Sequence, residues 1–484
     1  MKGPTAVLTT PSAAPERPTT MSPLLKVDGT RLATPDGTTV RLRGAGLGGW
    51  MNMENFITGH PGNEAAMRSA VRDVLGERRY ELFFDRLLTV FFGEADAALL
   101  AAKGINCIRI PVNYRHLEDD ARPFEIREEG FAHLDRVVAL CARHGIYTVI
   151  DLHSLPGYQN QQWHSDNPTH LALFWDHPHF QDRVVRLWEV IADRYKHNPW
   201  VAGYNPINEP ADDSGRVLPA YYQRLAGAIR AADPHHILFL DGNNYSTEFD
   251  LFDEPIENAV YTCHDYARAG FARSGGYPGE TDGAWIDKQQ VEEAFLRRTA
   301  YMRKTGTPVW VGEFGPVYTG DRARDEQCAA LLADQLEIYR RHEVSWSLWT
   351  YKDVGLQGMV HIAPDSAYQR HFGDFMAKKH RLGAEAWGSP NGTIRDLAAP
   401  LEHLVASEFP DFTARPFSTR QWLDVLLRHI VLGQPLVQEY AEVFRGLGDD
   451  DVLALADSFS LEQCVQRDWL LDTVADDARR GDAH

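Results

Sequence analysis

Short apolar runs alternate along this chain with stretches whose apolar positions recur every three or four residues. The runs fall at 105–111, 146–152, 201–207, 236–240, 259–263, 308–312 and 345–349. Helical spacing appears at 131–144, 180–196, 218–232, 291–305 and 324–342, and a longer helical stretch covers 63–104. A continuous apolar run of this length reads as a strand buried on both faces, the signature of parallel sheets. Parallel strands need long crossovers, which the intervening helical segments supply. With 45–47 as the first, eight strands are predicted, and eight such units close as a (β/α)8 barrel. An open doubly wound sheet is the alternative. Polar residues cluster at the C-terminal end of nearly every predicted strand, where barrel active sites are built, so the barrel is favoured.

The two ends of the chain differ from the middle. Asp28-Gly29 and Pro35-Asp36-Gly37 are turn signals within 25–44, which reads as a β-hairpin able to close the bottom of the barrel. From residue 389 onward only helical patterns are found, at 393–409, 419–430, 436–447 and 450–471, with no strand candidate. The expected organisation is a disordered arm over 1–23, a catalytic barrel over 24–388 and a helical extension over 389–484.

Composition narrows the function. The 484 residues carry a net charge of -19, which argues against nucleic-acid binding. No run is long and apolar enough to span a membrane, and the Thr-, Pro- and Ala-rich first residues do not form a secretory signal. Five cysteines with no CxxC spacing read as free thiols in a reducing compartment. A cytoplasmic enzyme is the expectation. The abundant Trp, Tyr and Phe suit both core packing and the faces of sugar rings.

The chemistry centres on Tyr204-Asn205-Pro206-Ile207-Asn208-Glu209-Pro210, where an apolar strand ends in an amide and a carboxylate. A second acid, Glu313, ends the strand Val309-Trp310-Val311-Gly312. Two carboxylates at barrel strand ends equip a site for glycoside hydrolysis. At ~5–5.5 Å separation the pathway is double displacement with retention, and at ~6.5–9.5 Å it is inversion. The sequence alone does not choose. Two acids at short range also predict a raised pKa for Glu209 while Glu313 is charged. Around them, Arg109 can keep the nucleophile ionised, and Asn208 can donate to a sugar 2-hydroxyl. His153 and His264 can orient hydroxyls, Tyr266 can donate to the nucleophile, and Trp349 can form a floor beneath the sugar.

Rival chemistries fit less well. The glycines at 44–49 are not spaced as a dinucleotide loop. His153, His264 and His361 are candidate metal ligands, but no HExxH and no His-x-His at the first strand accompany them, so neither metal nor cofactor is expected. His177, His179, His235 and His236 read as solvated. Met51, Met53 and Met359 read as core packing rather than an apolar aglycone site. A non-catalytic sugar-binding protein would usually lack one of the two glutamates.

The order Arg109, His153, Asn208-Glu209-Pro210, His264-x-Tyr266, Glu313 and Trp349 resembles glycoside hydrolase family 5, across roughly 25–385. The resemblance implies that Glu209 is the acid/base and Glu313 the nucleophile of a retaining enzyme. Gly46-Leu47-Gly48-Gly49-Trp50 with Glu54, and Asp151-Leu152-His153-Ser154-Leu155-Pro156-Gly157-Tyr158-Gln159-Asn160, are similar to the exo-β-1,3-glucanase branch. That similarity implies that Glu54 holds hydroxyls of a terminal sugar and places Trp50 and Asn160 in the substrate site. The chain departs from that branch at Met51–Met53, at Phe314-Gly315 after the nucleophile and in its helical extension. The expected activity is therefore a β-glucosidase or exo-β-glucanase acting on an oligosaccharide or small glycoside. Glycolipids, diglycosides and β-mannosides or β-galactosides are the alternative substrates, and transglycosylation uses the same intermediate.

Overall fold

The computed structural model describes residues 24–271, 276–385, 387, 392–414 and 418–481. The expected arm at 1–23 and the expected boundary at 388/389 lie outside them.

Eight parallel strands close a barrel: β1 (Arg43–Gly46), β2 (Cys107–Asn113), β3 (Tyr147–Ser154), β4 (Val201–Asn205), β5 (Ile237–Asp241), β6 (Ala259–His264), β7 (Val309–Glu313) and β8 (Ser345–Leu348). Each pairs with its neighbour in sequence, and β8 pairs with β1 through Trp346 opposite Arg43. Seven were legible as apolar runs because every residue of these strands but Val309 is buried, and the first, expected at 45–47, is Arg43–Gly46. Helices such as Ala132–Arg143, Pro178–Tyr195, Val217–Ala232 and Arg322–Arg341 form the crossovers. Between β5 and β6 there is only the short turn Asn243–Ser246.

The predicted hairpin is a small antiparallel sheet of Lys26–Asp28, Arg31–Ala33 and Thr39–Val40. Its Leu25, Leu32 and Leu42 join Cys107, Tyr147, Val149, Phe239 and Trp310 in one buried cluster. The sheet thus seals the N-terminal end of the barrel, and the opposite end stays open for chemistry.

The C-terminal helices share the barrel's core. Leu436, Tyr440, Phe444, Val452 and Phe459 belong to the same apolar cluster as the barrel's outer layer. Lys352, fully buried, joins the two by donating to Asp96 Oδ1 at 2.7 Å, Phe91 O at 2.7 Å and Phe459 O at 2.8 Å. Within 450–471 the expected helix is interrupted. It stops at Asp457, and Cys464–Gln466 pairs as a strand antiparallel to Val360–Ile362 before a last helix, Asp468–Gly481. The open hydrogen-bonding edge of Val360–Ile362 recruits that segment, which no local pattern announces.

His177, His179 and His235 are exposed. His236, expected to be solvated, is buried: its Nδ1 lies 2.5 Å from Asp233 Oδ2 and its Nε2 3.1 Å from Asn198 O. Met51, Met53 and Met359 are core residues.

Candidate active site

The register of the barrel gathers the polar strand ends. Gly46 pairs with Arg109, Asp151 with Asn205, and His264 with Glu313 across a β-bulge at Cys263/His264. A bulge re-aims the side chain beside it, and here it turns His264 inward between the two glutamates.

Glu209 stands just beyond β4 with φ 46°, a left-handed conformation costly for a residue with a Cβ. Two side chains hold it there. Its N–H donates to Asp241 Oδ2 at 2.9 Å, and its carbonyl accepts from Asn160 Nδ2 at 2.9 Å. Such strain, offset by dedicated partners, marks a backbone set for function. The Glu209 carboxylate meets two imidazoles: His264 Nδ1 is 2.6 Å from Oε1, and His164 Nε2 is 3.1 Å from Oε2.

Glu313 is held from its other side. Arg109 Nη1 donates to Oε1 at 2.5 Å and Tyr266 Oη donates to Oε2 at 2.8 Å. Burial, with Glu313 and Glu209 nearby, keeps the Tyr266 hydroxyl protonated, so it stays a donor. Arg109 also donates to Asn208 Oδ1 at 2.6 Å and to Asn205 Oδ1 at 2.9 Å, and lies 3.1 Å from Asp151 Oδ2. With its oxygen thus engaged, Asn208 presents Nδ2, which lies 3.2 Å from His153 Nε2.

One oxygen of Glu209, one of Glu313 and a His264 nitrogen lie within 4.8 Å of one another. That closeness agrees with the short carboxyl separation of glycosidases that work with retention. The same three are the residues that could hold a cation. Arg109 already supplies positive charge at Glu313.

The electrostatics correct one expectation. Burial works to raise the Glu209 pKa, but hydrogen bonding to His164 and His264 overcomes it and holds the carboxyl well below its usual range. Considering only the like charge of Glu313 left the imidazoles out. For His264, burial opposes the charged form, but Glu313, Asp241 and Glu209 outweigh it and push the pKa up to about 9. In the resting site the proton of this pair therefore lies toward His264. His153 is neutral: burial and Arg109 hold it far below its usual value.

Trp349 lies flat beside His153, with ring planes 4° apart and centroids 5.6 Å apart. The glycine run after β1 makes room for it. A Cβ on Gly46 would sit 2.4 Å from Trp349 Cε3, and one on Gly48 2.6 Å from Trp349 Cζ2. Glycine there serves an aromatic floor, not a phosphate.

These groups border a cavity of about 360 Å³ that also takes in Glu54, Phe56, Trp163, Glu385 and Trp387. Glu54 is buried, and its Oε1 has no hydrogen-bond partner. Burial first, then the Glu313, Glu209 and Glu385 charges, raises its pKa well above the usual range. Of the residues singled out from sequence, Glu54, Glu209, His264, Tyr266, Glu313 and Trp349 border the cavity, with Arg109, His153 and Asn208 bonded directly behind or beside them. Asn160 acts on the backbone of Glu209 rather than facing the cavity. Trp50 is not brought in: its ring is in the core and its indole N–H donates to Leu88 O at 2.8 Å. His361 is elsewhere, on Val360–Ile362. His164, Asp241, Glu385 and Trp387 were not foreseen. His164 lay four residues beyond Asn160, where a motif ended, and Asp241 directly followed a predicted strand, so both had a positional signal.

Comparison with known proteins now bears on the site. A family model described as Cellulase (glycosyl hydrolase family 5) matches residues 89–355, more than half of the chain. A β-xylosidase of Phanerodontia chrysosporium is 46% identical over 469 residues, covering 94% of this chain and 98% of that protein. The chain belongs to glycosyl hydrolase family 5. This family 5 enzyme is a glycoside hydrolase acting on carbohydrate, and the retaining β-glycosidase expected from its sequence agrees with that membership. A probable glucan 1,3-beta-glucosidase A of Emericella nidulans is 27% identical over 283 residues, 57% of this chain and 67% of that protein. A solved endogalactoceramidase superposes with a TM-score of 0.50 at 19% identity, covering 68% of this chain and 75% of that one, and shares the fold. No helix among the described residues is long and apolar enough to cross a membrane.

Proposed function

We propose that this family 5 enzyme removes a single terminal sugar from the non-reducing end of a β-linked oligosaccharide or small glycoside, with xylose first and glucose second as the sugar. Glu313 attacks the anomeric carbon as the glycosidic C–O bond breaks, and the proton held between His264 and Glu209 passes through the Glu209 carboxyl to the departing oxygen. Glu209 then takes a proton from water, which attacks the glycosyl ester and releases the sugar with its β configuration.

The observation that carries this reading is the 4.8 Å grouping of Glu209, His264 and Glu313. Arg109 and Tyr266 bond both oxygens of Glu313 and so aim its carboxylate. Asn208 Nδ2, one hydrogen of which faces His153 Nε2, has a second to donate to the 2-hydroxyl, a contact that tightens as oxocarbenium character grows. A cavity of about 360 Å³ is at the small end for ligand pockets and suits one ring with its aglycone rather than a polymer in passage. Xylose is favoured over the glucose expected from sequence by the likeness to the Phanerodontia β-xylosidase over nearly its whole length. The two sugars share equatorial hydroxyls at C2, C3 and C4 and differ only in the hydroxymethyl group. Action in the cytoplasm belongs to the same proposal, supported by five cysteines that are all free.

The test is a set of 4-nitrophenyl β-D-glycosides (xyloside, glucoside, galactoside, mannoside) together with β-linked xylo- and gluco-oligosaccharides labelled at the reducing end. Release of monosaccharide alone, fastest from the xyloside, supports the reading. Early release of labelled di- or trisaccharides from within the chain would refute the exo mode.

A further inference from the structure

Part of the cavity wall is not made by barrel strands. It comes from the segment after the last barrel helix, Ala367–Arg381. In the final turn of that helix Lys379 is buried, and its ammonium donates to Asn55 O at 2.8 Å and His60 O at 2.9 Å. Burying an ammonium is costly unless it is paired, and its counter-charge is Glu385, whose Oε2 lies 3.5 Å away. Two further ties fix the segment. Arg428, from the C-terminal helices, donates to Gly383 O and to Glu385 O. Trp387 Nε1 donates to Gln357 Oε1 at 2.9 Å, and Gln357 in turn donates to Gly315 O at 2.8 Å, two residues beyond Glu313. The Trp387 ring packs on Phe56, Phe271 and Tyr266.

Glu385 is thereby held buried, 4% exposed, on the same cavity as Glu54. Its own contacts are long. Lys379 is at 3.5 Å, and the Trp387 N–H reaches Oε1 only at 3.4 Å. A charge-assisted hydrogen bond is ordinarily ~2.7–2.9 Å, so this carboxylate keeps accepting capacity toward the cavity. Glu54 Oε1 accepts no hydrogen bond, with His153 Nε2 standing off at 3.6 Å. Two neighbouring buried acids with unfilled acceptor positions call for a ligand that brings two adjacent O–H donors.

Barrel order says which part of the sugar that is. Glu54 follows β1, Glu385 follows the helix after β8, and β8 pairs with β1. Glu209 follows β4, on the opposite side of the closed barrel. A ring with its anomeric carbon between Glu209 and Glu313 sends its leaving group past Glu209 and its far edge, C3 and C4, toward β8 and β1.

We propose that Glu385 is a second sugar-holding acid which, beside Glu54, grips the adjacent 3- and 4-hydroxyls of the terminal sugar, so that the C-terminal segment closes the glycone end of the site. This rests on the reading above that the terminal sugar lies between Glu209 and Glu313. A longer chain extending from C3 or C4 would meet the Lys379–Glu385 strap, which gives the exo mode a physical cause.

The experiment compares wild type, Glu385→Gln and Glu385→Asp on 4-nitrophenyl β-D-xyloside and β-D-glucoside and on their 3-deoxy and 4-deoxy analogues, with thermal midpoints recorded alongside. Glu385→Gln keeps the shape, and Glu385→Asp keeps the charge beside Lys379 but shortens the reach. Both are expected to lower kcat/KM on the parent glycoside by ~10-fold or more, the range of a hydrogen bond to a charged group, mostly through KM. On at least one deoxy analogue the variants and wild type should be equally slow. Unchanged kcat/KM on the parents, or the same fold-loss on parents and both deoxy analogues, would overturn the proposal in favour of a merely structural strap. A wild type that turns over none of these glycosides would strike the glycosidase reading itself and this inference with it.

Discussion

His264 Nδ1 lies 2.6 Å from Glu209 Oε1 and 3.5 Å from Glu313 Oε2. One imidazole thus bridges the two acids, and its pKa is pushed up to about 9 against the effect of burial, chiefly by Glu313 and Asp241. In the proposed mechanism the proton needed by the leaving group is stored on this pair rather than on Glu209 alone. The alkaline limb of kcat/KM should therefore fall near pH 9, where the pair loses that proton. His264→Gln removes the imidazole that bridges Glu209 and Glu313, so the alkaline limb should move down by more than one unit. The check is kcat/KM of an aryl β-glycoside from pH 4 to 10; an unmoved limb would remove His264 from the proton path.

Glu209→Ala removes the acid but leaves Glu313, Arg109 and Tyr266 in place. Glycosides with a good leaving group, such as 2,4-dinitrophenolate, need little protonation. Their first step should survive within about tenfold, while glycosides with sugar leaving groups should lose ~10²–10⁴-fold, the usual range of general acid catalysis. Equal losses on both would contradict the role of Glu209.

Arg109→Met takes the cation from beneath Glu313, Asn205, Asn208 and Asp151 together. Leaving buried carboxylates unpaired costs ~3–5 kcal/mol, so denaturant unfolding should show a loss of that order. The drop in kcat/KM should exceed 100-fold, because Glu313 also loses its aim. A stable, active Arg109→Met would refute the network.

Lys352→Met tests the join between barrel and C-terminal helices. Lys352 binds Asp96 and the carbonyls of Phe91 and Phe459 within the core. Removing it leaves buried Asp96 without its counter-charge, though Tyr351 Oη and the Gly93 N–H still donate to it, at a cost of up to ~3–5 kcal/mol, with kcat little changed in the folded enzyme since Lys352 does not border the cavity. Denaturation midpoints and kcat on the same samples check both halves.

What could be read from the sequence follows from where each signal resides. The barrel strands carried theirs locally, as apolar runs ending in polar residues. Glu209 and Glu313 each sat at such an end. The strand Cys464–Gln466 had no local pattern, because it exists only through its pairing with Val360–Ile362. His164 comes from an irregular loop fixed by tertiary contacts: neighbouring Asp166 accepts from Asn63, Ala65 and Asn113, none predictable from spacing. Glu385 likewise depends on Lys379 reaching across to Asn55 and His60. Trp50 shows the reverse error: a motif placed it in the site, but its bond to Leu88 O keeps it in the core.

The central claim is that Glu313 is the nucleophile beneath a sugar whose leaving group departs past Glu209. Glu313→Gly opens space at the nucleophile's position, and azide can fill it. With an activated aryl β-glycoside and azide, NMR of the product should show the α-glycosyl azide, formed by a single inversion. A β-glycosyl azide, or no azide adduct where Glu209→Gly gives the α-azide instead, would contradict the assignment.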